Sequence, residues 1–205
     1  MIRAAIATVL ALLAVPAQAI EIQDVTSPGG IKAWLVQDDS IPFVALDIQF
    51  RGGASMDAEG KRGAVNMMTA LLEEGAGSNS ATQFAQAVED LGARLSFSAS
   101  DDTVSVGFQS LTENRDAAAD LLAQALAQPR FDDDALTRVR GQVQAVIRSE
   151  ATDPNSIAAK EMAAQAWGAH PYATSINGTA ESVAALTRQD LVAAKNRVLA
   201  RDRVV

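Results

Sequence analysis

One histidine and no cysteine among 205 residues bound the chemistry open to this chain. Zinc in proteins is held mainly by imidazole and thiolate, with carboxylates as supplements, so the inventory argues against a catalytic zinc site built from this chain alone. The same counts exclude a Cys–His pair and leave a Ser-His-Asp arrangement only with His170 as its base. His170 stands in His170-Pro171-Tyr172 with no partner near it in sequence, and reads as a positioning residue after a helix. Glu73-Glu74 beside Gly75 reads as a solvated helix end, and Asp132-Asp133-Asp134 as charge favouring a helix start. A site made from Glu73, Glu74 and Glu150 would prefer hard cations and hold them weakly. Met67 and Met68 read as core rather than as the lining of a peptide groove. Gly29-Gly30 and Gly52-Gly53 are turns, not phosphate loops, because no Lys-Ser/Thr follows in the required pattern. Asn177-Gly178-Thr179 matches an N-glycosylation pattern that has no use behind a bacterial-looking leader.

The elements that must position these groups follow from periodicity. Ile31 to Val36 and Phe43 to Arg51 read as extended, the second alternating Val44, Leu46, Ile48 and Phe50 against Ala45, Asp47 and Gln49. They are expected to pair through Asp38-Asp39-Ser40. Gly63 to Glu73 predicts a helix stopped at Gly75, and Ser80 or Thr82 caps the next, which ends at Gly92. Arg94 to Ala99 and Thr103 to Phe108 predict a second hairpin around Ser100-Asp101-Asp102. A helix from Asn114 closes at Pro129; another runs from the Asp132 region to about Glu150, with Leu136, Val139, Val143, Val146 and Ile147 on one face. Pro154 opens the next, which ends near Trp167-Gly168, and Thr187 with Asp190 caps a last one through Leu199. Arg203-Val204-Val205 reads as the opening of a further strand, so the α+β domain is expected to be cut short at its C-terminus.

Residues 1–19 carry Arg3, an apolar run from Ala4 to Val15 and the ending Ala17-Gln18-Ala19, the three-part pattern of a cleaved secretory signal. The apolar run is too short to span a bilayer comfortably, and no later segment predicts a membrane span. The expected mature chain, 20–205, is one ordinary domain. Without Arg3 it keeps 16 basic residues against 25 acidic ones, which argues against nucleic acid as a partner. A cysteine-free exported chain must hold by packing alone, which fits a periplasmic or secreted address.

Several stretches in fixed order resemble the N-terminal half of the insulinase (pitrilysin, inverzincin) zinc metallopeptidase family. They are Phe50-Arg51-Gly52-Gly53-Ala54-Ser55, Leu91-Gly92-Ala93-Arg94, Asp101-Asp102-Thr103-Val104, Pro129-Arg130-Phe131, Asp153-Pro154, His170-Pro171-Tyr172, Gly178-Thr179 and Leu186-Thr187-Arg188-Gln189-Asp190-Leu191. The resemblance implies a half-clam domain, an antiparallel or mixed sheet packed against several helices. It also implies where the family's chemistry would sit. The family holds zinc through His-x-x-Glu-His on a helix and a glutamate on a later helix, and the motif glutamate takes a proton from zinc-bound water.

Aligned on Gly63-Ala64-Val65, the family's first histidine falls on Asn66, its glutamate base on Thr69 and its second histidine on Ala70. The family's spacing places the third ligand on Val146, 76 residues beyond Ala70. All four groups are replaced together. The resemblance therefore implies an inactive subunit like those of bacterial two-chain members and of mitochondrial-processing-peptidase-like proteins. Such a chain has no catalytic residue, metal or cofactor of its own; zinc is expected in an active partner of the same family, with which it encloses a peptide substrate. A stand-alone periplasmic peptide-binding or scaffolding protein is the alternative, and an active metalloendopeptidase has the poorest inventory behind it.

Overall fold

The computed structural model describes residues 21–38 and 40–205, so the expected signal segment 1–19 lies outside the described residues. The chain divides into two units, 1–41 and 42–205.

In the first unit, β1 (Ile22–Thr26) and β2 (Lys32–Val36) form an antiparallel hairpin with Ile22 opposite Val36 and Thr26 opposite Lys32. The turn closes through Ser27 N–H to the Ile31 carbonyl and Gly30 N–H to the Ser27 carbonyl, both 2.8 Å, with Gly30 at φ 83°. This corrects the expected pairing of Ile31–Val36 with Phe43–Arg51. Ser27-Pro28-Gly29-Gly30 is a local turn, and it closes β2 onto the strand just before it.

The second unit is built on a three-stranded antiparallel sheet. β3 (Phe43–Arg51) lies beside the later strand Thr103–Leu111, and Arg94–Ala99 lies on that strand's other side. Each of the first two is nine residues long, and they match from Phe43↔Leu111 to Arg51↔Thr103. Between β3 and these strands the chain forms α1 (Ala64–Leu71), the small hairpin of β4 (Gly75–Ala76) and β5 (Asn79–Ser80), and α2 (Ala81–Asp90). The edge strand Arg94–Ala99 is β6 and the central strand Thr103–Leu111 is β7, joined by the expected Ser100-Asp101-Asp102 turn. Then follow α3 (Arg115–Ala127), α4 (Asp133–Glu150), α5 (Pro154–Trp167), the short α6 (Ala180–Ala184) and α7 (Arg188–Val198).

α1 is the hub of the core. Its Val65, Met67, Met68 and Leu71 are fully buried and join Val104, Val106 and Phe108 of β7, Leu136, Val139 and Val143 of α4, and Leu191, Ala194 and Val198 of α7. Both methionines are therefore core, as their spacing on the helix predicts.

Caps follow the sequence. Ser80 and Gln83 form a reciprocal capping box on α2, and Thr187 and Asp190 form one on α7. The Asp153 carboxylate accepts from Ser156 N–H at 2.8 Å while Pro154 fills the first turn of α5. At the chain's end Val204 bridges Phe50, and Val205 N–H donates to the Gln49 carbonyl at 2.9 Å, a first strand-like rung on β3. α5 has no buried residue; Ile157, Met162 and Trp167 are half or more exposed. No described helix is long and apolar enough to cross a membrane.

Candidate functional site

α1 has no side-chain cap of its own, and its first residue follows Gly63 at φ 98°. Its free N–H groups are met by Asp57, whose two oxygens accept from Gly63 N–H at 2.8 Å and Val65 N–H at 2.9 Å. This is the service a cap performs, supplied from a preceding turn. The Asp57 side chain is only 3% exposed. Burial pushes its carboxyl up from the ordinary value, against the pull of the two N–H groups and of Arg62 and Arg197.

Arg62 ties this helix start to two distant loops. Its guanidinium donates to Asp101 at 2.7 Å, to the carbonyls of Thr174 at 2.8 Å and Ser175 at 3.1 Å, and to the carbonyl of Ala54. The 175–178 turn then lies so close that a side chain has no room on either surface. A Cβ on Gly63 would stand 2.7 Å from the Asn177 carbonyl oxygen, and one on Gly178 would strike the Arg62 carbonyl. Positive φ at both positions adds to the demand for glycine. The same loop is held at its front by Tyr172, whose hydroxyl donates to Asp102, and Ser55 donates to Asp102 at 3.4 Å. His170 takes the positioning role expected of it: its Nδ1 accepts from Tyr172 N–H at 3.3 Å, and its ring packs edge-on to Tyr172.

Within this frame Asn66 donates from Nδ2 to Asn177 Oδ1 at 2.9 Å, and Asn177 donates to Glu150 at 2.7 Å. Thr69 is buried, and its hydroxyl donates to the Asn66 carbonyl at 2.8 Å. Ala70 and Val146 are exposed, Val146 by 46%. The structure packs α1 against α4, so the helices carrying Asn66 and Val146 are neighbours. The donor set does not fit zinc. The four positions offer one amide already bonded to another amide, one hydroxyl turned back on its own helix, and two side chains with no donor atom.

Beyond α1, Glu74 pairs bidentately with Arg138 at 2.7 and 2.5 Å. Burial first, then repulsion from Glu74, raises the Glu73 carboxyl above the ordinary value, and the nearby Phe97 N–H opposes this. The reading of Glu73-Glu74 as a solvated helix end holds for Glu73, which is exposed, and is corrected for Glu74, which is ion-paired. Asp57 and Arg62 carried no sequence signal and Asn177 only an unrelated glycosylation match, because each acts on residues that only folding brings near.

The profile of the insulinase family, peptidase family M16, matches residues 32–180. The chain belongs to the insulinase family. This M16 chain is 26% identical over 151 residues to the "Non-peptidase homolog YmxG" of Helicobacter pylori, covering 74% of the chain and 35% of that relative. It matches a crystal structure described as the peptidase M16 inactive domain from Pseudomonas fluorescens with a TM-score of 0.85 and 28% identity, covering 91% of the chain and 45% of that structure. Pitrilysin shares the fold, with a TM-score of 0.77 at 18% identity over 92% of the chain and 21% of its own. The M16 chain thus spans less than half the length of each of these relatives. Two of the three, the Helicobacter pylori relative and the Pseudomonas fluorescens structure, are described as a non-peptidase homolog and an inactive domain.

Proposed function

We propose that this M16 chain is a non-catalytic partner subunit, exported to the periplasm, that helps enclose and hold an extended peptide while an active zinc metallopeptidase of the same family cleaves it. The observation that carries the reading is the Asn66–Asn177–Glu150 line of hydrogen bonds. The residue in the place of the family's first histidine is committed to holding the 175–178 turn, so its chemistry serves the wall of a chamber. The likeness to a non-peptidase relative and to an inactive domain supports the same reading. Confinement and orientation of a peptide are what such a wall contributes, and the outer edge of β6 offers backbone groups for strand addition. The bare surface of α5 supports an assembly over a free-standing scaffold.

The test is zinc content by elemental mass spectrometry together with peptide hydrolysis, for the purified chain alone and mixed with a His-x-x-Glu-His homologue from the same source. The expected result is no zinc and no cleavage alone, with faster cleavage on mixing. Stoichiometric zinc with cleavage by the chain alone overturns the proposal, and no change on mixing assigns the stand-alone binding role instead.

A further inference from the structure

The segment that joins α3 to α4 is braced from three sides. Its backbone pairs with β4: Ala76 bridges Pro129, Gly77 N–H donates to the Gln128 carbonyl at 2.9 Å, and Arg130 N–H donates to the Gly75 carbonyl at 3.1 Å. Phe131, at φ 49°, is buried in the core. Lys195 of α7 donates to the Ala127 carbonyl at 3.1 Å, so the helix that carries Arg188 is tied to the same segment. Here lies an open cleft of about 420 Å³, lined by Gly77, Gln128, Pro129, Arg130, Asp132 and Arg188.

The donors of this cleft are arranged ahead of any ligand. Arg130 donates from Nε to Asp132 at 2.6 Å, which occupies the one carboxylate of the lining and fixes the plane of the guanidinium. Among the described residues, both terminal nitrogens of Arg130, the whole Arg188 guanidinium and the Gln128 side-chain amide have no partner. Two guanidinium forks therefore border one cleft with a single acid between them, in a chain of net charge −8. Such a fork matches two oxygens of a carboxylate or phosphate at once. The volume is more than one such group needs and falls among those of small-molecule sites, roughly 300–1,000 Å³.

We infer that this cleft binds a small molecule carrying two oxyanionic groups, carboxylates or phosphates, with Arg130 gripping one and Arg188 the other. Asp132 is the positioning residue that orients Arg130, and the Gln128 amide adds a neutral donor. The site is independent of the peptide-holding reading, and either can fail without the other.

The experiment is isothermal titration calorimetry of the purified chain with succinate, citrate and pyrophosphate, and with acetate as the singly charged control. At least one doubly charged ligand is expected to bind, and more weakly as chloride is raised. Arg188→Gln is expected to weaken that binding about tenfold, the scale of one charge-assisted contact. Arg188 is exposed and bonds nothing in the fold, so the variant folds as the parent does. Arg188→Lys should recover only part, because an ammonium is not a fork. Arg148→Gln, at an equally free and exposed arginine outside the cleft lining, should change nothing. Tighter binding of succinate or citrate assigns carboxylates to the site, and tighter binding of pyrophosphate assigns phosphates. Binding of none of the three overturns the site. Acetate binding as tightly as succinate overturns the double grip, and equal losses on Arg148→Gln and Arg188→Gln overturn the place.

Discussion

Asn66 donates to the side-chain oxygen of Asn177 at 2.9 Å across 111 positions of sequence, and this bond holds a loop to the helix that in active relatives carries the motif histidines. Removing it by Asn177→Ala strips Asn66 of its partner and Glu150 of a donor. The expected loss is about 1–2 kcal/mol of unfolding free energy, read as a fall in Tm of about 2–8 °C. In a double-mutant cycle, Asn66→Ala and Asn177→Ala are expected to couple by at least about 0.5 kcal/mol. Strict additivity would mean that the bond is incidental.

Zinc binding is expected to return only when the ligand set is rebuilt as a whole. Ala70 and Val146 are exposed, so Ala70→His and Val146→Glu cost the fold little. Added to Asn66→His they supply two imidazoles and a carboxylate on two packed helices. The triple variant is expected to take one zinc in competition with a chromophoric chelator and still not hydrolyse peptides, because Thr69 is no general base. Asn66→His alone is expected to bind none. Equal zinc binding by the single and triple variants would refute the placement.

Arg62 serves four acceptors from one planar fork. Arg62→Ala is expected to destabilise by about 2–4 kcal/mol by denaturant titration, since the carbonyls and Asp101 it leaves are partly out of water. Arg62→Lys should recover less than half of this, because a single ammonium cannot reproduce the fork. Full recovery by lysine would reduce the role of Arg62 to charge alone.

Tyr172 is the chain's only tyrosine, so phenolate absorbance reports it directly. Its pKa is raised above 10.0, first by the hydrogen bond to Asp102, then by burial and the nearby charges of Asp102 and Asp101. A phenol whose folded value lies above its unfolded one contributes stability that is fully present below the unfolded value and lost as pH rises through the folded one. The titration midpoint should therefore lie above 10.0 in the folded protein and drop on unfolding. Asp102→Asn should lower it; an unchanged midpoint would break the link.

Much of the frame was legible before folding. Alternation of Val104, Val106 and Phe108 marked β7, and the periodic face of Leu136, Val139 and Val143 marked α4, because each has one dry side. The cap at Ser80, read as Ser80 or Thr82, and the box at Thr187 were legible because a cap and its helix start lie within one turn. β1 was missed because Gln23, Asp24 and Thr26 interrupt its apolar residues, and that hid the partner of β2. At the site, the replacements at Asn66, Thr69, Ala70 and Val146 could be aligned by the motif's spacing. The bonds that employ Asn66 could not, since Asn177 and Glu150 reach it only through tertiary packing. Glu74 was misread for the same reason: its partner Arg138 lies 64 residues away and reaches it only in the fold.

The position of Asp57 bears on how such a chain changes over generations. The carboxylate that secures α1 sits outside the helix and accepts its helix-start bonds from Gly63 and Val65, not from the four replaced positions. A lineage can therefore discard or regain ligands at Ala70 and Val146 without disturbing the helix start, whereas a change at Asp57 would unsettle the core while leaving every ligand position intact. At Ala70 and Val146, catalysis and architecture are thus inherited through separate residues, and selection can abandon the first while continuing to hold the second.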